Sequence, residues 1–184
     1  MKVGIICSAS ENASDYHKSI ARSVASYLAK EEFDLVYGGS NSSLMGICYE
    51  EFKKNNREID ALTTDKYKEE LLMLDANSEM VCDTTFDIKK QIFKNSDIIV
   101  ALPGGIGTYS EILSFIEEKR SNNQDKPIEI YDEDGYYIPL IELIKIMEVK
   151  GLVDGSIYST FKMSHNKEEF VDHINQYVYR KGVK

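Results

Sequence analysis

The sequence predicts an α/β fold, a doubly wound parallel sheet with helices on both faces. Three observations lead there. Short apolar runs alternate with stretches of helical spacing along the chain, the pattern of repeated strand–helix units. Two of the runs, KVGIIC at 2–7 and DIIVAL at 97–102, are apolar almost throughout, as strands covered on both faces are. No internal repeat, low-complexity tract or linker interrupts the 184 residues, so one domain over 1–184 is expected.

The first strand is Lys2 to Cys7, followed by a small polar loop at 8–14. From Tyr16 to Lys30, apolar residues at Tyr16, Ile20, Ala21, Val24, Tyr27 and Leu28 have helical spacing. Phe33 to Tyr37 is the second strand, 38–43 a turn-rich loop and Leu44 to Lys54 a helix. Glu58 to Thr63 is a weaker strand candidate, 64–78 a charged loop or short helix, and Met80 to Cys82 a further strand. Ile88, Ile92 and Phe93 share one face of DIKKQIFK, which predicts a short helix over 87–94. The run 97–102 is the most apolar in the chain and is expected at the sheet centre. Lys126 to Tyr131 is a strand, and Tyr136 to Val149 a helix with Gly151 as its stop. Phe161 to Ser164 is a short last strand and Lys167 to Val178 a closing helix. In such sheets ligands bind beyond the carboxyl ends of the strands. The loops 8–14, 38–43 and 103–108 are placed there, and all three are rich in Gly or Ser.

Hydrophobic residues make up 42% of the chain, enough for a core. A net charge of −9 argues against nucleic acid as the main partner, since such binders need a basic face. It leaves room for a small phosphorylated ligand, because backbone N–H groups and helix dipoles hold phosphate with few basic side chains. Cys7, Cys48 and Cys82 make neither a CxxC pair nor a disulfide framework and read as reduced, buried thiols. The N-terminus has too few apolar residues for a signal segment, and no run approaches the ~18 of a membrane span. A soluble, cytoplasmic protein with no membrane partner is expected. His17, His165 and His173 have no ligand spacing, so no metal is expected.

ALPGGIGTYSE at 101–111 lies between the DIIVAL strand and the helical ILSFI. Gly104, Gly105 and Gly107 let the chain turn sharply and approach a ligand. Thr108 is placed as a helix cap or first-turn residue. The first N–H groups of a helix lack internal partners, and the dipole adds roughly half a positive charge there, so a phosphate or carboxylate fits. No Lys-Ser or Lys-Thr follows, as a Walker loop needs, and Gly105-x-Gly107-x-x-Ser110 lacks the last glycine of a dinucleotide fingerprint. Glu111 stands three residues after Thr108. It either closes a T-x-x-E capping box or points at a ligand, where it can bind ribose hydroxyls, orient water or stabilise an oxocarbenium-like transition state.

Pro103-Gly104-Gly105-x-Gly107-Thr108-x-x-Glu111 resembles the PGGxGTxxE signature of the LOG family, the cytokinin riboside 5′-monophosphate phosphoribohydrolases often labelled lysine decarboxylases. Tyr37-Gly38-Gly39 with Leu44-Met45-Gly46 is similar to the family's YGGGxxGLMG stretch, and Cys7-Ser8-Ala9-Ser10 to its first strand–loop. Asp134-Gly135-Tyr136-Tyr137 also fits, and these tyrosines are candidates to pack a dimer. The resemblance implies a Rossmann-like sheet, a homodimer, and hydrolysis of the N-glycosidic bond of a nucleoside 5′-monophosphate, with no metal or redox cofactor. It implies that Gly104, Gly105, Ile106, Gly107 and Thr108 hold the phosphate, with Ser8, Gly38, Gly39 and Ser40 around the substrate. It makes Glu111 the catalytic carboxylate and Glu70 a substrate contact. The family's Arg-Lys pair before the signature falls on Ile88 and Lys89, which keeps Lys89 as a catalytic candidate and loses the arginine; a one-residue slip would use Lys89 and Lys90. Ser40 and Ser43 replace two glycines of the pattern, Ser110 replaces a common acidic residue, and Glu117 stands near where the family places substrate. Two functions follow: a nucleotide N-glycosidase, or a nucleotide-binding sensor on the same scaffold with little hydrolysis. Decarboxylation would need a pyridoxal lysine, and nothing in the sequence marks one.

Overall fold

The protein is described by a computed structural model covering residues 1–122, 124–180 and 182; positions 123, 181, 183 and 184 lie outside the described residues. The strands are β1 (Lys2–Ile6), β2 (Asp34–Tyr37), β3 (Ile59–Thr64), β4 (Ser78–Cys82), β5 (Ile98–Ala101), β6 (Ile128–Tyr131) and β7 (Lys162–Ser164). They form one parallel sheet in the order β4-β3-β2-β1-β5-β6-β7. The helices are α1 (Asp15–Lys30), α2 (Ser43–Lys54), α3 (Lys68–Leu71), α4 (Thr85–Asn95), α5 (Ile106–Ser121), α6 (Ile138–Val149) and α7 (Lys167–Arg180). This is the Rossmann-like α/β architecture that the sequence predicts.

Strand residues alternate between two cores. Val3, Ile5, Leu35, Tyr37, Ile98 and Val100 face α1, α2 and α7. Ile6, Val36, Ile99, Ala101, Ile128 and Ile130 face α4, α5 and α6. Both faces being covered explains why these strands read as apolar runs rather than alternating ones. The helices present amphipathic faces to match: α1 buries Ile20, Ala21, Val24, Ala25 and Leu28 at helical spacing, and Ser14 caps it by accepting the His17 N–H at 3.2 Å.

Three expectations need correction. The central strand is β1, not the more apolar β5, which lies beside it. The chain lays β1 to β4 outward on one side, then returns across the sheet to place β5 on the other. That reversal makes the β1/β5 boundary the switch point where the strand ends open a crevice. The strand expected at 80–82 begins at Ser78, and its residues 78–81 are exposed because β4 is an edge strand, so its apolar pattern is thin. The helix expected from Tyr136 begins at Ile138, because Gly135 has φ +78° and the chain turns through Tyr136 and Tyr137 first.

Gly46 shows how closely the strand-end loops are packed. It sits in the first turns of α2, and a Cβ there would lie 2.0 Å from the backbone oxygen of Asn41. The loop after β2 therefore folds directly onto the helix that follows. Gly46→Ala is expected to destabilise the protein by roughly 2–4 kcal/mol, since the clash is with backbone. Chemical denaturation of both proteins checks it.

Candidate active site

The site is built from the start of α5. Gly105 is its N-cap, with φ −84°, ψ −156° and no side-chain cap. The first helical bond runs from the Tyr109 N–H to the Gly105 carbonyl, 3.1 Å. The N–H groups of Ile106, Gly107 and Thr108 therefore have no partner in the helix, and the positive end of its dipole adds to them. Of the two places expected for Thr108, cap or first turn, it takes the second: it is the third helical residue, and it is buried. A T-x-x-E capping box does not form. Among the described residues Glu111 makes no hydrogen bond or ion pair, and it turns toward a cleft.

The glycines of the loop divide by function. A Cβ on Gly104 would lie 2.1 Å from the Thr108 Oγ1, so Gly104 is glycine because the first turn of α5 packs on it. Gly105 and Gly107 are different. A Cβ on either would meet no atom within 4 Å, and neither has left-handed backbone. Nothing within the protein requires glycine at these two places; both face the cleft.

The cleft has a volume of about 580 Å³ and lies beyond the carboxyl ends of β1, β2, β3 and β5. Its walls bring together Ser8, Gly38, Gly39, Ser40, Glu70 and Lys89 with Gly105, Gly107, Thr108 and Glu111. Gly104 and Ile106 are expected among them and are not on the wall: Gly104 is covered by Thr108, and the Ile106 side chain is 88% exposed on the outer side of the helix. Glu117 does not reach the cleft either; it accepts the Ser121 hydroxyl at 3.2 Å on the outer face of α5. Glu70, on α3, is tied to the wall because its Oε2 accepts the Ser40 hydroxyl at 3.1 Å. Ser43, where the resemblance has glycine, holds left-handed backbone with φ +51°, a strain of the order of 1 kcal/mol.

α4 brings Ile88 and Lys89 to the cleft and leaves Lys90 on the neighbouring groove. On the ungapped register that the resemblance implies, an apolar side chain, Ile88, lines the wall where the family pair has arginine. Lys89 Nζ donates to Ser110 Oγ at 2.6 Å and lies 5.2 Å from the centre of the Phe86 ring. Burial raises the Glu111 carboxyl to a pKa of about 7, while the Lys89 ammonium pulls it the other way. Cys7 also lines the cleft, but a hydrogen bond with Cys48, together with burial, pushes its thiol well up, so it stays protonated and is no nucleophile at neutral pH. The three cysteines are free and buried, as expected.

Other residues fix this geometry without any motif to mark them. Tyr136 Oη donates to the Gly104 carbonyl and Tyr137 Oη to the Leu102 carbonyl, each at 2.6 Å. Tyr137 is fully buried, and its N–H donates to Asp132 Oδ1 at 2.9 Å. Both tyrosines brace the loop; Tyr137, expected with Tyr136 as a dimer-packing residue, is buried within the chain. The Ser8 N–H donates to the Pro103 carbonyl at 3.2 Å, and the Met45 N–H to the Ser8 carbonyl at 3.3 Å, so the three loops form one connected rim. Tyr67, Thr64 and Thr85 complete the walls as single residues at element ends. Position after a strand end is the only signal that could have found them.

A family model described as "Possible lysine decarboxylase" matches residues 45–174. The chain is 24% identical over 177 residues to a protein of Oryza sativa subsp. japonica named "Probable cytokinin riboside 5'-monophosphate phosphoribohydrolase LOGL2", covering 96% of this chain and 72% of that one. It is 25% identical over 179 residues to an Arabidopsis thaliana cytokinin riboside 5′-monophosphate phosphoribohydrolase, covering 96% and 84%. Among solved structures it is similar to a molybdenum cofactor binding protein from Rippkaea orientalis, with TM-score 0.70, 16% identity and coverage of 96% and 95%. It is also similar to a molybdenum cofactor carrier protein from Chlamydomonas reinhardtii, with TM-score 0.69, 12% identity and coverage of 97% and 98%. These structures speak for the fold alone.

Among the described residues no helix is long and apolar enough to cross a membrane. The raised Glu111 has a consequence for stability. A carboxyl near 4.5 in the unfolded chain and near 7 in the folded one favours folding least when both states are ionised. Glu111→Gln is therefore expected to stabilise the protein at pH 8, by up to about 3 kcal/mol, and to have little effect at pH 4.5. Denaturant midpoints of the two proteins at both pH values check this.

Proposed function

Because this chain belongs to the LOG family, we propose that it hydrolyses the N-glycosidic bond of a nucleoside 5′-monophosphate to free base and ribose 5-phosphate. The observation that carries this reading is the pair Gly105 and Gly107. They are open, they lie at an uncapped helix N-terminus, and no contact inside the protein accounts for them. A phosphate ester seated on those N–H groups gives them a reason to be glycine.

With phosphate there, Glu111 stands just over one turn into α5, on the cleft side. Its ionised form stabilises the positive charge that develops at the ribose C1′ as the bond to the base stretches. It can also take a proton from the attacking water. The base leaves with the bond's electron pair, water oxygen bonds to C1′, and the departing nitrogen is protonated in turn. Glu70, fixed by Ser40, is placed for ribose hydroxyls. Lys89 is the cation of the cleft wall, and it supplies charge stabilisation next to Glu111.

Ile88 favours a second reading, a nucleotide-binding protein with little hydrolysis. Its apolar side chain cannot make the planar, bidentate contacts that arginine offers to phosphate or ribose oxygens. Calorimetry together with product analysis separates the two. Tight binding of AMP without release of base supports the second reading, and no binding of any nucleoside monophosphate removes both.

Incubation with AMP, GMP, CMP, UMP and an N6-isopentenyl AMP, followed by chromatography of base and ribose 5-phosphate, tests the first reading. Glu111→Ala is expected to lower kcat at least about 100-fold. Gly107→Ala is expected to leave stability unchanged or raised by under about 1 kcal/mol, and to raise KM about tenfold or more. Release of base at equal rates from wild type and Glu111→Ala rejects the role of this residue.

The pH dependence follows from the charges on the page. Activity that needs ionised Glu111 rises with pH through about 7 in kcat/KM. Lys89 lowers the pKa of Glu111, so Lys89→Ala is expected to move that acid limb to higher pH. A limb that stays in place, or moves down, excludes Lys89 as the group acting on Glu111.

A further inference from the structure

A second groove, of about 490 Å³, runs between α4 and α5 on the far side of Lys89 from the catalytic cleft. Its floor is aromatic: the Phe93 and Phe115 rings lie 5.3 Å apart between centroids. Phe86 stands at its edge, 74% exposed, an unusual position for a large apolar ring in the first turn of a helix. Four ammonium groups line it, those of Lys89, Lys90, Lys94 and Lys126, against one carboxylate, Glu118. The chain as a whole carries −9, so this concentration of positive charge runs against the overall balance.

The four cations are not equivalent. Lys126 is held over the Phe93 ring at 4.7 Å and donates to the carbonyls of Phe93 and Ser96 at the end of α4. Lys89 is engaged with Ser110. Lys90 and Lys94 are exposed and make no hydrogen bond or ion pair among the described residues. They stand four apart on one face of α4, beside exposed aromatic surface. A flat ring stacks on such surface, and an anionic group attached to it meets two uncommitted ammonium groups. The Gln124 side chain on the opposite wall offers both a donor and an acceptor to the edge of a ring.

We propose that the α4–α5 groove is a second nucleotide site, distinct from the catalytic cleft, with the base against Phe86 and the phosphate on Lys90 and Lys94. Lys89 belongs to both walls. A phosphate in the groove competes with Ser110 for its ammonium and so acts on the cleft as an effector. This site does not depend on hydrolysis in the cleft.

The test uses the full chain with Glu111→Gln, so that AMP is not consumed, and reads binding by calorimetry. Two binding events per chain are expected. Adding Gly107→Ala weakens one of them, the cleft event. Adding Lys90→Glu with Lys94→Glu weakens the other at least tenfold and leaves the first within a factor of three. Light scattering on the same samples reports whether a second copy of the chain covers the groove. A single event that survives the lysine changes overturns the proposal. So does a loss of molecular mass on changing the lysines, since it would mean that a second copy of the chain covers the groove. A groove event that persists when the cleft binds no nucleotide supports this site while removing the proposed reaction.

Discussion

Three backbone N–H groups at the start of α5, left without partners because Gly105 carries no side chain to cap them, are the constraint around which the molecule is arranged. They can be useful only if the helix begins at the mouth of a cleft. The sheet order provides this: β5 lies next to β1 at the point where the chain reverses its direction of growth, and the loops after β1, β2 and β5 open onto one space. They can be precise only if the turn before them is rigid. Tyr136 and Tyr137 supply that by holding the carbonyls of Gly104 and Leu102, while the Ser8 N–H holds that of Pro103. The carbonyls of the turn are thus all tied down, which leaves the N–H groups of the next three residues as its free polar face.

Electrostatics around that face are sparse. Glu111 is surrounded by enough protein that its ionisation is disfavoured, and Lys89 offsets part of this. The Ser110 hydroxyl oxygen accepts a hydrogen bond from the Lys89 ammonium, so a neutral group rather than a second acid holds the lysine. A site with one cation and a poorly solvated carboxylate responds strongly to the arrival of a phosphate, because each charge added or removed is weighed against few others.

The fold was legible because each local signal agreed with the whole. Uniformly apolar runs gave the buried strands, and the spacing of Ile20, Val24 and Leu28 gave α1. Errors came where an element's environment departs from the average. β4 is an edge strand with little to bury, and the apparent helix start at Tyr136 is a turn whose tyrosines point inward to bond distant carbonyls. The glycine loop and Glu111 were legible as local spacing, whereas the bracing of the loop was not. Tyr137 and Leu102 are far apart in sequence, and no periodicity links a phenol to a carbonyl. Gly104 and Gly105 look alike in the sequence; only packing reveals that one is small for Thr108 and the other is open to the cleft.

The departures from the family pattern converge on one side chain. On the register that the resemblance implies, Ile88 stands where the family has arginine and Ser110 where an acidic residue is common, with Lys89 between them on the Ser110 hydroxyl. Losing one charge of each sign leaves the local net charge as it was. The change is in geometry: on that register an apolar side chain stands where the planar fork would be, and the lysine beside it, a point charge on a flexible stem, rests on a hydroxyl. A lysine held in this way can be drawn toward the cleft or toward the α4–α5 groove at the expense of one neutral hydrogen bond, a difference of about 1 kcal/mol, which a single phosphate contact exceeds. Standing on both walls with only that bond to break, Lys89 is, among the described residues, the group through which the two cavities meet.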